Sequence, residues 1–297
     1  MTITKPRGYV PGQLTVHADP ARMHAVTRTL RGAGRRIVLV PTMGALHEGH
    51  ASLIRRARDE RELVVVSIFV NPRQFGPGED LSRYPRDEAR DLEVCASLDV
   101  DLVWAPSVDQ MYPPGVVLVE PDPGPAGDRF EGASRPGHFR GVLTVVRRMF
   151  DVVGPSTAYF GQKDAQQVFL VRRMVTSGSL PIEIVACPIV REPDGVALSS
   201  RNALLAPEER EQAGCLFLGL SEAAALARAG ERDAHVLIAS LAREVGATPL
   251  ARLDYAAVVE DDTFTAIDVI DRPARAIVAA AFPSARLIDN LALPAAT

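Results

Sequence analysis

Short runs of valine, isoleucine and leucine alternate with longer amphipathic stretches from Arg36 to about Val190. A run of four to eight β-branched residues between turn residues predicts a strand, and apolar positions recurring every three or four residues predict a helix face. Strands are therefore expected at residues 37–40, 63–70, 101–104, 158–160 and 182–186, with helices at 50–58, 87–98, 142–153 and 164–176. In the third helix Val142, Val145, Val146, Met149 and Val153 lie at helical spacing, and Asp164 opens the fourth where its charge suits the positive end of the helix dipole. The segment 63–70 is apolar almost throughout, so that strand must be covered on both faces. Strand and helix in alternation predict an α/β fold, a Rossmann-like doubly wound parallel sheet.

The pattern changes after Val190. Pro193-Asp194-Gly195 is a turn between short extended segments, and Pro207-Glu208-Glu209 starts an Ala/Leu-rich helix that Gly230 ends. A helix at 233–245 and strands at 254–259, 276–281 and 287–291 follow. Helices succeeded by strands predict a smaller C-terminal α+β domain, giving two domains at 1–188 and 189–297, the second acting as a lid.

Charge narrows the partners. A formal net charge of -4 and a pI near 5.9 are unsuited to tracking nucleic acid, which takes a broad basic face. No apolar run approaches the ~18 residues of a membrane span, so no membrane partner is expected. Residues 1–16 mix Lys5 and Arg7 with Gly and Pro and have no apolar core, which predicts a flexible start and not a signal peptide. Cys95, Cys187 and Cys215 are odd in number and sit among apolar residues, as buried reduced thiols of a cytoplasmic protein do. The basic residues comprise 31 Arg and only 2 Lys, Lys5 and Lys163. Lysine is a compact charge on a flexible stem, so an internal Lys in a chain that otherwise uses Arg points to a chemical requirement at position 163.

Four stretches carry candidate chemistry. Residues 40–50 run from a buried strand through Met43 and Gly44 to His47-Glu48-Gly49-His50 at a helix start, where backbone N–H groups and the helix dipole favour phosphate. One histidine capping the helix while the other packs is the plainer alternative, and the zincin spacing is absent. Residues 67–80 again end a strand in a polar loop, and Asn71 and Gln74 there can donate and accept at once. The third stretch, Gly161-Gln162-Lys163-Asp164 followed by Gln166 and Gln167, places Lys163 at another strand-to-helix junction; periodicity does not choose between the two glutamines. In the fourth, Leu198-Ser199-Ser200-Arg201-Asn202 combines hydroxyls and a guanidinium as a mobile anion clamp.

Together these motifs resemble the pantoate–β-alanine ligase family, within the nucleotidyltransferase superfamily that carries a His-x-Gly-His signature. The resemblance is dense from about Ile37 to Leu205 and weak beyond. His-x-Gly-His alone is shared with cytidylyltransferases and class I tRNA synthetases; Phe-Val-Asn-Pro-x-Gln-Phe and Ser-Ser-Arg-Asn narrow it. The resemblance implies condensation of (R)-pantoate with β-alanine, with ATP giving AMP and pyrophosphate through a pantoyl adenylate. It implies His47, His50, Lys163 and Arg201 as catalytic residues. ATP would be held by these four together with Met43, Gly44, Gly161, Gln162, Asp164, Val190, Leu198, Ser199 and Ser200. Asn71, Gln74 and Gln167 would hold pantoate, Gln74 would also meet β-alanine, and Asp91 would contact Mg2+. A cytoplasmic homodimer is implied as well. The family more often has Glu at position 162, and Arg90 stands where some relatives have a second acid.

Overall fold

The structure is a computed structural model and describes residues 8–60 and 62–294. In chain order the strands are β1 (Thr15–His17), β2 (Ile37–Thr42), β3 (Leu63–Ile68), β4 (Leu102–Trp104), β5 (Thr157–Gly161), β6 (Glu183–Cys187), β7 (Arg252–Glu260), β8 (Ala274–Ala281) and β9 (Arg286–Leu293). The helices are α1 (Pro20–Gly32), α2 (Glu48–Asp59), α3 (Glu88–Ser97), α4 (Val108–Met111), α5 (Glu131–Ser134), α6 (His138–Val153), α7 (Ala165–Ser177), α8 (Pro207–Gln212), α9 (Cys215–Arg228) and α10 (Ala234–Gly246). Two compact units result. The first takes the chain up to Gly124, Arg135–Gly161 and Leu170–Cys187; the second takes Pro125–Ser134, Gln162–Phe169 and everything from Pro188 onward.

The first unit is built on a parallel sheet of order β1-β4-β3-β2-β5-β6. Strand order runs outward from β2 in one direction and from β5 in the other, so the switch point of the sheet lies between them, where α/β proteins place ligands. Alternation decides the packing. Val38, Val40, Val64, Val66 and Val103 meet Leu53 and Ile54 of α2 and Leu92 and Cys95 of α3. Ile37, Leu39, Leu63, Val65 and Leu102 occupy the opposite register and are equally buried, which is why 63–68 is apolar without a break.

One expectation for the N-terminus does not hold. Thr15–His17 is not part of a flexible start: it pairs with β4, Thr15 opposite Leu102 and His17 opposite Trp104, and the Tyr9 hydroxyl donates to Asp101 at 3.1 Å. A three-residue strand is too short to leave a periodic signal. Lys5 lies outside the described residues. Helix α1 begins with Pro20 in its first turn after Asp19, whose carboxylate accepts from the Arg22 N–H at 2.7 Å.

The second unit has an antiparallel sheet of order β7-β8-β9. Val258, Ala276, Val278 and Ala280 face Leu216, Leu220 and Ala224 of α9 and Leu237 and Leu241 of α10. Ala257, Val259 and Ile277 face the other way, onto Phe264, Ala165, Phe130 and Phe169. That aromatic layer is what draws Pro125–Ser134 and the start of α7 into this unit. The long helix expected from Pro207 to Gly230 is two, α8 and α9, parted at Ala213 and Gly214; Gly is a weak helix former and interrupts an otherwise continuous pattern.

The three cysteines are free and buried, and burial, reinforced by Asp91, pushes the Cys95 thiol up to about 12. Among the described residues no helix is long and apolar enough to cross a membrane.

Candidate active site

The first unit contributes the loop between β2 and α2. After Thr42 the backbone turns through left-handed Gly44 (φ 78°) and Ala45 (φ 50°) before reaching the helix. The turn is held at both ends. Thr42 Oγ1 donates to Ser67 O at 2.7 Å and accepts from the Gly44 N–H at 3.2 Å. Asp91, from the first turn of α3, accepts from Ala45 N at 2.9 Å and Leu46 N at 2.7 Å, one carboxylate oxygen to each. A Cβ on Gly44 would lie 2.8 Å from Asp91 Oδ2, so glycine is required there by both its φ and its neighbour. Asp91 is 2% exposed, and burial pushes its carboxyl up while the two backbone bonds work in the opposite direction. Asp91, linked to Mg2+ by resemblance, thus has both oxygens engaged by the loop.

The two histidines form a reciprocal cap on α2. His47 is the N-cap and its Nδ1 accepts from Gly49 N at 3.1 Å, while the His47 N–H points to His50 Nδ1 at 3.4 Å. The rings lie 4.1 Å apart between centroids. A neutral imidazole whose Nδ1 accepts carries its proton on Nε2. Both rings are therefore set as Nε2–H donors beside the positive end of a twelve-residue helix. Capping and ligand donation, posed as alternatives by the sequence, use different nitrogens of the same rings.

Beyond β3, Asn71 caps the 3-10 turn Pro72–Gln74 and is 1% exposed. Its Oδ1 accepts from Arg73 N at 3.1 Å and from the Tyr112 hydroxyl at 2.7 Å; its Nδ2 donates to Gln74 Oε1 at 3.0 Å and Gly141 O at 3.1 Å. Those four bonds use the whole capacity of an amide side chain. Burial pushes the Tyr112 hydroxyl up, which keeps it a donor. Gln74 is half-buried and its Nε2 reaches Met43 Sδ at 3.2 Å, so the structure joins Met43, Asn71 and Gln74.

Sequence reasoning passed over the group behind Gln74. Its carbonyl accepts from Arg135 Nη2 at 3.1 Å and from His138 Nδ1 at 2.8 Å, and His138 Nε2 then accepts from Arg135 Nη1 at 3.2 Å. Glu79 takes Arg135 in a fork at 2.9 and 2.7 Å. Burial opposes ionisation of Glu79, but the Arg135 guanidinium outweighs it and holds the carboxyl below the usual range. The available signal was Arg135-Pro136-Gly137-His138, an arginine and a histidine around a glycine that the structure shows to be left-handed (φ 82°) at the start of α6.

The second unit holds the other candidates. Gln162–Asp164 forms a 3-10 turn leading into α7, with Lys163 Nζ 3.6 Å from Asp164 Oδ1. Gln166 is buried: Nε2 donates to Ala126 O at 2.7 Å and Arg129 O at 2.9 Å, and Oε1 accepts from Glu131 N at 3.2 Å. It is a structural residue that ties Pro125–Ser134 to α7, while Gln167 is only partly buried. Arg191 and Ala197 pair across the turn at Pro193-Asp194-Gly195, and Leu198 N donates to Val190 O at 2.9 Å, which brings Val190 and Leu198 together. Ser199 then caps the turn Ser200–Leu204, accepting from Arg201 N at 3.3 Å. Lys163, Ser199 and Asn202 line one small cavity of this unit with Val196, Ile288 and Asp289.

Among the described residues no group of three or more His, Cys, Asp or Glu is arranged to hold a metal ion. Each Asp91 oxygen accepts one backbone bond, which leaves each a second lone pair.

Comparison with known proteins places these features in a family. The family model described as pantoate-beta-alanine ligase matches residues 15–292. The chain is 53% identical over 257 residues to pantothenate synthetase of Roseiflexus sp. (strain RS-1), covering 86% of this chain and 92% of that protein. Among solved structures it is similar to pantothenate synthetase from Thermus thermophilus, with 45% identity, a TM-score of 0.88, and 94% and 99% of the two chains covered. It also resembles pantoate-beta-alanine ligase from Francisella tularensis, solved in complex with beta-gamma ATP and beta-alanine, at 33% identity and a TM-score of 0.76, covering 94% and 98%.

Proposed function

The chain belongs to the pantoate–β-alanine ligase family, and on that premise we propose how its residues divide the work of the reaction. That reaction joins (R)-pantoate to β-alanine, with ATP giving AMP and pyrophosphate through a pantoyl adenylate. The observation that carries the assignment is the reciprocal cap, which turns the Nε2–H groups of His47 and His50 into donors for an anion at the start of α2.

A carboxylate is ionised at neutral pH, so its attack on the α-phosphorus needs no general base. It needs alignment and cancellation of negative charge. His47 and His50 donate to the phosphates as charge moves toward pyrophosphate, and Lys163 and Arg201 supply full positive charge. Met43, Gly44, Gly161, Gln162, Asp164, Val190, Leu198, Ser199 and Ser200 complete the ATP contacts. Gln74 and Gln167 hold pantoate, with Gln74 also meeting β-alanine. Asn71 acts through Gln74, since its own amide is fully used within the protein. In the second half-reaction a neutral amine attacks the acyl carbon and AMP leaves, while exclusion of water protects the mixed anhydride from hydrolysis. Mg2+ belongs to this proposal as a companion of ATP, held by phosphate oxygens and water.

The assignment extends to a cytoplasmic homodimer. Val116, Val117 and Val119 are exposed, Val117 to 97%, on one short segment of the first unit, which supports burial against a second copy. Sedimentation of wild type against Val117→Asp tests it, a dimer weakened by the charge being the expected result.

Pantoate-dependent exchange of labelled pyrophosphate into ATP tests the reaction. Exchange that requires a different acid, or none, overturns it.

A further inference from the structure

Position 290 lies on β9 in the second unit and is 2% exposed; it pairs with Ile277 of β8 and lies on the sheet face opposite Leu287 and Leu293. Ile277 beside it is apolar and buried, and a buried amide costs free energy unless every polar atom is bonded. Asn290 is bonded at both ends. Its Nδ2 donates to the carbonyls of Gln162 at 3.0 Å and Lys163 at 2.9 Å, and its Oδ1 accepts from Arg275 Nη1 at 2.7 Å. Arg275 is itself oriented by Asp261 at 3.0 Å. Behind it, Asp289 takes Arg191 at 2.5 and 3.0 Å and accepts from Asn290 N at 2.7 Å, and Arg191 stacks on Phe217 at 4.1 Å.

Only a side-chain amide can donate twice to neighbouring carbonyls while accepting from a guanidinium. The two carbonyls belong to the turn that presents Lys163. We propose that Asn290 is the positioning residue for Lys163: it fixes the backbone of the Gln162–Asp164 turn, and Arg275 fixes the orientation of the amide. The inference rests on the role assigned to Lys163. It accounts for a polar pair, Asp289 and Asn290, in the middle of a core strand, and for the side-chain chain Asp261–Arg275–Asn290 that leads from the sheet to a turn carrying the chain's one internal lysine.

The test is a double-mutant cycle read by pantoate-dependent pyrophosphate exchange. Asn290→Asp keeps size and the acceptor for Arg275 but sets an oxygen against two carbonyl oxygens. Exchange kcat should fall by about tenfold, the scale of a sub-ångström misplacement, with KM for pantoate within about twofold. In a Lys163→Ala background the same substitution should lower exchange by less than about twofold, because the group being positioned is gone. Equal losses in both backgrounds identify a fold-wide structural role and overturn the proposal. No loss from Asn290→Asp, with a large loss from Lys163→Ala, overturns it while leaving the Lys163 assignment intact. Unchanged exchange in Lys163→Ala overturns that assignment, and this proposal with it. Should Asn290→Asp fail to fold, Asn290→Ala serves in the same cycle, with a smaller loss of the same background dependence expected.

Discussion

Replacing a helical glycine by alanine ordinarily stabilises a helix by about 1 kcal/mol, and Gly141 in α6 is a place where that gain should be reversed. A Cβ built on Gly141 meets the Arg73 carbonyl oxygen inside contact distance and lies 2.8 Å from the Gln74 amide nitrogen. Both neighbours are backbone, so nothing can rotate away. Restoring an ordinary contact moves the Pro72–Gln74 turn by about 1 Å. Three bonds tie that turn to Gly141, His138 and Arg135: Asn71 Nδ2 to Gly141 O at 3.1 Å, His138 Nδ1 to Gln74 O at 2.8 Å and Arg135 Nη2 to Gln74 O at 3.1 Å. A shift of that size takes two or three of them out of range, at about 1 kcal/mol each, so Gly141→Ala should lose about 1 to 2 kcal/mol net. Gln74 travels with the turn. A misplacement of about 1 Å at a substrate-holding group lowers kcat/KM on the order of 100-fold. Pyrophosphate exchange at varied pantoate, alongside thermal unfolding, measures both effects, and KM for ATP should change by less than about threefold. A variant that is about 1 kcal/mol more stable than wild type, with unchanged kcat/KM for pantoate, refutes the reasoning.

Three further outcomes are expected. His47→Asn keeps an N-cap acceptor and removes the imidazole donor, so stability should stay within about 0.5 kcal/mol while adenylation falls on the order of 100-fold; equal activity in the Asn variant would make His47 a cap alone. Asp91→Asn leaves one of the Ala45 and Leu46 N–H groups facing an NH2, and should destabilise the protein by about 1 to 3 kcal/mol in EDTA without nucleotide; unchanged stability there, with a raised Mg2+ requirement, would restore a metal role. Glu79 has a depressed folded pKa, so its contribution is present above the ordinary Glu value of about 4.3 and is lost as pH falls through the lower folded value. Stability of Glu79→Gln should therefore lie about 1 to 2 kcal/mol below wild type at pH 7 and converge with it as pH falls below the ordinary Glu range; a constant gap would remove ionisation from the explanation.

Neutral donors and full cations divide between the candidate groups of the two units. His47 and His50 are fixed by backbone bonds in the tautomer that donates, whereas Lys163 sits on a turn gripped from β9. The two imidazole rings are thus held by backbone bonds, and the backbone of the Lys163 turn by a satisfied amide.

Much of this protein was determined by local pattern. Valine-rich runs with both registers apolar made a covered parallel sheet the expected outcome, and polar loops at the ends of those runs marked positions 43–50, 71–74 and 161–164. Those features depend on period and on residue type over a few positions, which a chain displays in one dimension. The partners of buried polar atoms are of another kind. Asp91 reaches back 45 residues to Leu46, Asn71 reaches 70 to Gly141, and Asn290 reaches 127 to Lys163. Gln166 and Gln167 are neighbours of identical chemistry, and only the carbonyls of Ala126 and Arg129 make the first a structural tie. Likewise Pro125–Ser134 joins the second unit because Phe130 packs with Phe169 and Phe264, and β1 exists because β4 offers it an edge. Burial obliges every polar atom to find a partner, but which partner it finds depends on what the folded chain brings within 3 Å, and that was settled only by tertiary structure.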